Sequence, residues 1–337
     1  MEISNKVLPV VNRQLFRVVD ESVTPVANRC EWFPVFRINF LKMKFITRIL
    51  LFILTLFLLV QCEKDEPDVQ VKIPDNNFLD ALINQGVDAN ADGVITKREA
   101  EAITYMDVSY YFIQDLTGIE AFVNLDTLYA MYNQLTSMNI SKCTSLVLLS
   151  CSNNWLTSLN ISKNTALREL FCYNNRLTSL DVANNIALIA LSCGLNHIDY
   201  LDVSNNTSLE KLSCTDNKLA SLDVSKCTAL KEIGCSGNLL TTLDVSIINS
   251  LSGLGCADNQ LISLDISNNP AMEWLYCGDN QLTILDISNN PGLKNLHIEN
   301  LPDLSEVCVW IMPFPPAGVN IYASGSPNIY FTVDCKK

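Results

Sequence analysis

Residues 167–182 read LRELFCYNNRLTSLDV, and this pattern returns with a constant period along most of the chain. Each unit follows the spacing L-x-x-L-x-C-x-x-N-x-L-x-x-L, a partial copy starts at Leu125, and a degenerate one begins near Tyr105. A repeat of fixed period indicates a solenoid, in which each coil buries its apolar face against the next one. The first position of the motif falls on Leu146, Leu167, Leu188, Leu209, Leu230, Leu251, Met272 and Leu293.

The spacing inside the repeat indicates a short buried strand in every coil. Leu170 and Cys172 lie two positions apart, so both point to the same face of an extended segment. Stacked coils would bury a ladder of cysteines, and a free cysteine is among the most buried residue types, which favours a structural role. Successive members point the same way, a poor geometry for disulfides, and no C-x-x-C pair supports zinc. The ladder comprises Cys151, Cys172, Cys193, Cys214, Cys235, Cys256 and Cys277.

An asparagine ladder accompanies the cysteines and closes the turn after each strand. The asparagine amide can satisfy backbone groups that a turn leaves unpaired. The second half of each unit, such as 177–185, repeats the same spacing and leaves no room for a helix of several turns. We therefore expect short extended segments on both sides of the coil. The ladder comprises Asn133, Asn154, Asn175, Asn196, Asn217, Asn238, Asn259 and Asn280.

This repeat resembles the leucine-rich repeat, in its 21-residue subclass with duplicated half-repeats. The resemblance covers residues 105–300 and implies a mainly β solenoid of about nine coils. Solenoids need caps, because a terminal coil would otherwise expose its core. We expect an irregular C-terminal cap over residues 301–337, where prolines break the period and Cys308 and Cys335 could form a disulfide in an oxidising compartment.

A calcium motif precedes the repeats. Residues 88–99 read DANADGVITKRE and match the D-x-[DN]-x-[DN]-G-x₅-E loop of an EF-hand at every required position. Helices are expected over 77–85 and 97–103, so residues 73–104 would form a small helical, EF-hand-like N-terminal cap that holds Ca²⁺ as a structural ion. The alternative is a loop that keeps the shape without the ion. The ligands would be Asp88, Asn90, Asp92, the carbonyl of Val94, Thr96 and the bidentate carboxylate of Glu99.

The N-terminal region resembles a bacterial lipoprotein signal. Residues 43–61 contain two basic side chains and an apolar run that is too short to span a bilayer but fits a signal peptide. The run ends just before Cys62, which would be lipidated, and 62–72 would be a tether whose acidic start resembles the export signal of Bacteroidetes-type lipoproteins. The resemblance implies a surface-exposed outer membrane lipoprotein. An ordinary secretory signal is the alternative, and residues 1–42 are interpreted as an over-extended gene start or a disordered extension.

Composition and histidine spacing limit the classes of function. Residues 62–337 carry 15 basic and 32 acidic side chains, which opposes nucleic acid binding, since that needs a basic patch. The two histidines, His197 and His297, lie about 23 Å apart at the strand spacing, so they cannot share a catalytic site. We therefore expect no enzymatic activity. An acidic ladder from Asp181 to Asp286 could bind cations or a basic partner, but solvation and local hydrogen bonding are the simpler interpretation.

The outward-facing strand positions are where binding is expected. Large aromatic side chains occur there in early and late coils, whereas serine and glycine occupy the middle, and Gly253 and Gly255 are expected to leave neighbouring rings accessible. Exposed aromatics on a rigid scaffold anchor proteins or sugar rings. The leading hypothesis is a surface recognition or adhesion module for a protein partner. The alternative is a carbohydrate-binding accessory lipoprotein, and either would touch the membrane only through its lipid. The candidate ligand-binding residues are Tyr129, Phe171, Tyr173, Trp274 and Tyr276.

Overall fold

The computed structural model of the protein describes residues 68–335. The chain divides into two compact units, Met1–Asp65 and Glu66–Lys337, and the described residues lie in the second. The expected N-terminal extension, the signal peptide and Cys62 therefore lie outside the described residues. Between residues 68 and 335, no helix has both the length and the apolar character needed to cross a membrane.

Short parallel strands form two sheets along the solenoid. The larger sheet has eleven strands in the order β1 to β9, β11 and β13, and the smaller has β10, β12 and β14. The strands are β1 (Tyr105–Asp107), β2 (Thr127–Tyr129), β3 (Leu148–Ser150), β4 (Glu169–Phe171), β5 (Ala190–Ser192), β6 (Lys211–Ser213), β7 (Glu232–Gly234), β8 (Gly253–Gly255), β9 (Trp274–Tyr276), β10 (Ile284–Asp286), β11 (Asn295–His297), β12 (Glu306–Cys308), β13 (Asn320–Tyr322) and β14 (Tyr330–Thr332).

The 21-residue period sets the register of the larger sheet. Leu149 pairs with Leu170, and Leu170 pairs with Leu191, so equivalent residues stack in rows. From β1 to β9, the central residue of each strand is buried. Each strand has only three residues, and each coil advances the sheet by one strand spacing of about 4.8 Å. The predicted mainly β, leucine-rich solenoid is confirmed.

The solenoid continues further than the nine coils expected, since the larger sheet has eleven strands. Ten of these strands, β1 to β9 and β11, lie within residues 105–300. Residues 301–337 add β13 to the larger sheet and β12 and β14 to the smaller one, with wider coils. Asn295 pairs with Asn320, and Glu306 pairs with Tyr330, so both of these coils are longer than the repeat. The prolines between β12 and β13 lie in one of these longer loops, where their fixed φ and missing N–H remove no ladder hydrogen bond. The region that we expected to be wholly irregular is therefore partly regular.

The predicted cysteine ladder lies inside the solenoid. All seven thiols are free and fully buried. Burial raises their pKa, to about 12 for Cys151, Cys193 and Cys277. Because the thiolate is the reactive form of cysteine, these thiols remain protonated at neutral pH and act only in packing.

The first asparagine ladder links neighbouring coils through both ends of its amide. Asn175 Nδ2 donates to the carbonyl oxygens of Cys151 at 3.0 Å and Cys172 at 3.1 Å. Its Oδ1 accepts from the backbone N–H of Leu156 at 3.0 Å. Each such asparagine therefore satisfies three buried backbone groups that the tight turn would leave unpaired.

The second half of the coil has a ladder that only donates. Asn185 Nδ2 donates to two carbonyls of the preceding coil at 2.9 and 3.1 Å. Its buried Oδ1 has no hydrogen-bond partner among residues 68–335. Cys143 and Cys227 occupy this position in two coils, and each Sγ lies 3.4 Å from a carbonyl oxygen. A thiol can replace asparagine here because only a donor is used.

A helical cap covers the first coil. Helix α1 spans Asn76–Asn84 and helix α2 spans Lys97–Glu101, against expectations of 77–85 and 97–103. A 3₁₀ helix, Ile119–Ala121, follows β1. Phe78 and Leu82 of α1 are fully buried in the core of the solenoid, so the cap removes the end of that core from water.

Asp75 joins the cap to the first coil. Its Oδ1 accepts from the backbone N–H groups of Asn77 and Phe78, which makes it the N-cap of α1. Its Oδ2 accepts from the N–H groups of Gln114 and Asp115 in the coil, at 2.7 and 3.0 Å. Burial alone would raise the pKa of Asp75, but these four donors outweigh it and lower the pKa below its ordinary value.

Candidate ligand-binding face

The outer face of the larger sheet contains a groove of about 630 Å³. Small side chains of the middle coils, among them Ser192, Ser213 and Gly234, form its floor, and Phe171 and Trp274 lie at its ends. The strands of these two rings, β4 and β9, are five strand spacings apart, or about 24 Å. A concave site of this volume, with an apolar lining and a few polar groups, has the size of typical ligand pockets.

Trp274 fits against the sheet because Gly253 has no side chain. A Cβ at Gly253 would collide with the indole ring, and one at Gly255 would lie 3.8 Å from Cζ3. The glycines therefore admit the ring instead of leaving it free, and Trp274 is partly buried. Tyr276 is more accessible, at 39% of its surface. The expectation that both rings are accessible is wrong for one face of Trp274.

A row of four rings continues from the groove to the C-terminal end of the sheet. The Trp274 and Tyr276 centroids lie 5.3 Å apart, Tyr276 and His297 lie 4.2 Å apart, and His297 and Tyr322 lie 4.1 Å apart. Glu299 Oε1 lies 3.0 Å from His297 Nδ1 and fixes that ring. The sequence does not predict Tyr322 as part of this row. The last coil is wider than 21 residues, so Tyr322 falls outside the repeat period and within the expected C-terminal cap.

Three of the five candidate residues do not line the groove: Tyr276 lies at its border, and Tyr129 and Tyr173 lie outside it. Tyr129 packs beside Tyr105, with centroids 6.0 Å apart, towards the N-terminal end of the sheet. Tyr173 is exposed and lies over Gly194, where a Cβ would lie 3.2 Å from the ring. The structure thus brings Phe171, Trp274 and Tyr276 to the groove and its border and leaves the other two outside it.

Charged side chains at the groove pair with one another. Lys211 Nζ lies 3.0 Å from Glu232 Oε1, and Lys231 Nζ lies 2.7 Å from Glu210 Oε2. Such exposed pairs contribute little to stability, but they balance the charge along the edge. Glu169 also lines the groove and adds one acidic group, so the groove suits a ligand segment that is neutral or weakly basic.

The acidic ladder on the other half of the coil is used locally. The Oδ1 atoms of Asp202 and Asp223 accept from the N–H groups of Ser204 and Ser225 at 2.9 and 2.8 Å. A hydrogen bond from the Ser204 side chain, followed by its N–H, lowers the pKa of Asp202. For Asp223, the N–H of Ser225 is the main cause of a lowered pKa. This pattern supports local hydrogen bonding as the role of the ladder.

The expected calcium loop has the chemistry of a hard-cation site. It turns at Gly93, where φ is +82°, and Gly93 N donates to Asp88 Oδ2 at 2.8 Å. Glu99 accepts from the N–H groups of Ala89 and Thr96, both at 2.9 Å. The N–H of Thr96 is the main cause that lowers the pKa of Glu99, so its carboxylate is ionised at neutral pH. The six expected ligand residues offer only oxygen atoms, the donors that calcium prefers.

A short β-bridge supports this loop. Val71 N donates to Ile95 O, and Lys97 N donates to Val69 O, both at 2.8 Å. Ile95 is buried at the position where the loop contacts the core. The segment before α1 therefore holds the loop against the cap.

Cys308 and Cys335 form a disulfide, with Cα atoms 5.6 Å apart. It ties the last residues of the described chain to β12. Asp286 lies beside it, and in the described part of the chain these three residues are the one close group of metal-ligating side chains found. The disulfide uses both sulfur atoms, so the group has no thiolate to offer a metal.

No protein-family model matches the chain, and no curated protein matches it by sequence. Several solved structures are similar to it. The functional domain of InlJ from Listeria monocytogenes, which includes a cysteine ladder, is 31% identical with a TM-score of 0.62, over 76% of this chain and 61% of that one. The LRR protein LIC12759 of Leptospira interrogans is 19% identical with a TM-score of 0.52, over 63% of this chain and 64% of that one. A plant peptide hormone receptor, RGFR1 in complex with RGF2, is 22% identical with a TM-score of 0.50, over 65% of this chain and 41% of that one.

These similarities, together with the stacked coils, define the class of the protein. The chain has the leucine-rich repeat fold, and it shares a cysteine ladder with the InlJ domain. The other two similarities are too distant in sequence to show more than the fold. The chain spans less than two thirds of the InlJ and Leptospira structures that it matches.

Proposed function

We propose that the protein is a non-enzymatic recognition or adhesion module that binds a protein partner through the groove between Phe171 and Trp274. The groove itself carries this proposal, because it combines aromatic ends with a smooth floor on a rigid sheet. Aromatic residues such as tryptophan and tyrosine are enriched among the few residues that supply most of the binding energy in protein interfaces. The plant receptor of the same fold, solved with a bound peptide hormone, is consistent with this use of the scaffold.

The ring geometry favours a protein over a glycan. Sugar rings stack on free aromatic faces, but one face of Trp274 lies against Gly253. His297 and Tyr322 are stacked on each other, with an interplanar angle of 15°. Tyr276 and Tyr322 also offer phenol hydroxyl groups beside their apolar rings, which suits the mixed contacts of a protein interface.

The experiment is a comparison of two double variants. Trp274→Ala plus Tyr276→Ala should weaken binding of a partner isolated on the wild-type protein by about thirtyfold, since losing an interface anchor costs about 2 kcal/mol or more. Thr178→Ala plus Asp181→Asn, on the other half of the coil, should leave binding unchanged. Equal affinity of the wild type and the aromatic variant, measured by calorimetry, removes this face from consideration. A signal on a glycan array without a protein partner would favour the carbohydrate-binding alternative.

We also propose that the loop of residues 88–99 binds one structural Ca²⁺. The ion would join the loop to α2, and binding would stabilise the folded cap by linkage. With a dissociation constant on the order of 10⁻⁴ M, as in extracellular modules, 1 mM Ca²⁺ adds about 1.4 kcal/mol. The melting temperature in 1 mM Ca²⁺ should therefore exceed that in chelator. Glu99→Gln keeps an acceptor for the Thr96 cap but loses the bidentate charge, so it should abolish the shift. Identical melting curves of the wild type with and without Ca²⁺ would refute the site.

We further propose that Cys62 is lipidated and anchors the protein at the surface of the outer membrane. The support is the sequence, in which an apolar run of signal-peptide length ends just before this cysteine. Cys62→Ser should release the protein from membranes, and the mature wild-type chain should begin at Cys62. A mature N-terminus elsewhere, in a protein that still fractionates with membranes after the substitution, would contradict this proposal.

A further inference from the structure

A ridge of bulky side chains runs along the turns that follow β1 to β5 of the larger sheet. In the turn after each strand, one residue has a left-handed backbone, and in the later coils it is aspartate, asparagine or glycine. In three early coils, bulky residues hold this left-handed conformation instead, with φ of +66° at Tyr110, +52° at Tyr132 and +48° at Leu195. Phe112, two residues after Tyr110, also has a positive φ, of +59°. We define the aromatic ridge as Tyr110, Phe112, Tyr132, Trp155, Arg176 and Leu195.

The left-handed backbone is unfavourable for these residues. A left-handed conformation brings Cβ close to the following carbonyl oxygen, and bulky side chains are rarely found there. Asparagine occupies the same turn position at Asn153 and Asn174 with similar φ values. The fold therefore accepts asparagine, which adopts the left-handed backbone more readily than tyrosine or leucine. Strain kept at four places on one surface points to a role outside folding.

The ridge has the chemistry of a lipid interface. Tyr110 and Phe112 are 63% and 66% exposed, and Tyr132 and Trp155 are 48% and 43% exposed. Tyr110 stacks on Tyr132 at 4.5 Å, and the Arg176 guanidinium lies 5.5 Å from the Trp155 ring. Amphipathic aromatic rings with basic side chains are enriched at the level of lipid headgroups.

Charge along the ridge differs from that of the rest of the protein. None of its six residues is acidic, although residues 62–337 carry 32 acidic side chains. The first carboxylate at the equivalent turn position is Asp216, and Asp258 and Asp279 follow it. The turn position itself therefore adds no carboxylate that would repel phosphate headgroups in the N-terminal half of this edge, whereas it does in the C-terminal half.

The chain before the described residues indicates what covers the ridge. The apolar run 49–60 ends just before Cys62, and Asp68 follows Cys62 so closely that the segment between them reaches about 20 Å when fully extended. The cap is thus close to any bilayer that holds Cys62. The first part of the ridge adjoins the cap, since Asn77 Nδ2 donates to Phe112 O at 3.2 Å.

We propose that the aromatic ridge is a membrane-contact surface that rests on the phospholipid interface and orients the solenoid, leaving the groove open to a partner. The ridge contact rests on the proposed anchoring at Cys62. The ridge differs from the partner groove, because its residues lie on the turn edge and those of the groove lie on the sheet face.

The test uses the mature chain, which begins at lipidated Cys62, in vesicles of phosphatidylcholine that carries bromine on its acyl chains. Residues 62–337 contain three tryptophans, Trp155, Trp274 and Trp310. One variant keeps only Trp155, with the other two changed to phenylalanine, and the matched control keeps only Trp274. Bromine quenches indole emission on contact, so Trp155 should lose emission relative to vesicles without bromine, and Trp274 should keep it.

A second variant separates ridge contact from mere proximity. Tyr110→Asn, Phe112→Gln and Tyr132→Asn introduce residues that other coils carry at these positions, and they should restore the emission of Trp155. They should not lower the melting temperature, because asparagine relieves the left-handed strain at positions 110 and 132 and Phe112 is an exposed side chain. Tyr276→Asn plus Tyr322→Asn, on the sheet face, should leave the quenching unchanged.

Several outcomes would overturn the proposal. Trp155 that stays bright in floating vesicles would show that the anchor holds but the ridge is free, as expected if the ridge binds a protein. Quenching of Trp155 that survives the triple variant, or equal quenching of Trp274, would show that the tether alone brings the surface near the lipid. A chain that does not float with vesicles refutes the anchor and the ridge contact together.

Discussion

The two asparagine ladders allow a sharp test, because the same substitution should have different effects in them. We consider Asn175→Cys in the first ladder and Asn185→Cys in the second. Both side chains are buried, and both use Nδ2 to donate to two carbonyls. Only Asn175 also accepts, from the N–H of Leu156 at 3.0 Å.

The expected difference in the free energy of unfolding between the two variants follows from the Oδ1 acceptor of Asn175. In both variants one weak thiol donor replaces an amide, so this part of the cost is similar. Asn175→Cys also leaves the buried N–H of Leu156 unpaired, which costs about 1–3 kcal/mol. Asn185→Cys removes an oxygen that has no partner in the described chain and recreates the arrangement of Cys143 and Cys227. Asn175→Cys should therefore lower the free energy of unfolding by about 2 kcal/mol more than Asn185→Cys.

Urea unfolding at pH 7, followed by circular dichroism, measures this difference. Comparison of midpoints is valid if the two variants have the same slope, m. In the unfolded chain the thiols have ordinary pKa values of about 8.5, so pH 7 keeps most of them protonated and slows disulfide exchange. Equal destabilisation by both substitutions, or a larger effect at Asn185, would refute the different roles assigned to the two ladders.

Three further predictions concern the cap, the turns and the response to acid. Asp75→Ala should lower the free energy of unfolding by about 1–2 kcal/mol, the usual cost of a lost N-cap, whereas Asp80→Ala on the exposed side of α1 should have little effect in the same denaturation assay. Leu195→Asn should raise the free energy of unfolding by about 1 kcal/mol by relieving its left-handed backbone, and Leu239→Asn, at an exposed leucine without positive φ, serves as its control in thermal melts. Carboxylates with lowered pKa stabilise the fold above their unfolded pKa near 3.9 and lose this contribution as the pH falls through their folded values. The melting temperature should therefore decrease below about pH 4, and asparagine at four ladder positions should flatten that decrease: Asp202, Asp223, Asp244 and Asp265.

Most of the fold could be predicted from the sequence, because the residues that determine it recur with a constant period. Leu170 and Cys172 return in every coil at a constant spacing, so one strand fixes the register of the next, and the cysteine and asparagine ladders follow. The C-terminal strands could not be predicted in this way. Asn320 pairs with Asn295 outside the 21-residue period, so a search at a fixed period ends one coil too early.

The site was predictable only in part, since side-chain packing on the sheet depends on pairs of residues in different coils. The sequence shows Trp274 as an outward residue beside small neighbours, but not that its ring occupies the space above Gly253. It also shows Tyr110 and Tyr132 as ordinary turn residues, and their left-handed backbones become visible only in three dimensions. The sequence did contain one signal for these strained turns, which is a tyrosine at a position that other coils fill with asparagine or aspartate.

The central claim is that a protein partner occupies the groove, and filling the groove tests it most directly. Ser213 lies in the groove floor, and Lys226 lies exposed in the same 21-residue coil. Ser213→Tyr should weaken binding of the isolated partner by about thirtyfold or more in calorimetry, as expected for loss of about 2 kcal/mol at an interface centre, while Lys226→Tyr should bind like the wild type. Unchanged affinity of Ser213→Tyr, in a protein that melts normally, would contradict the account.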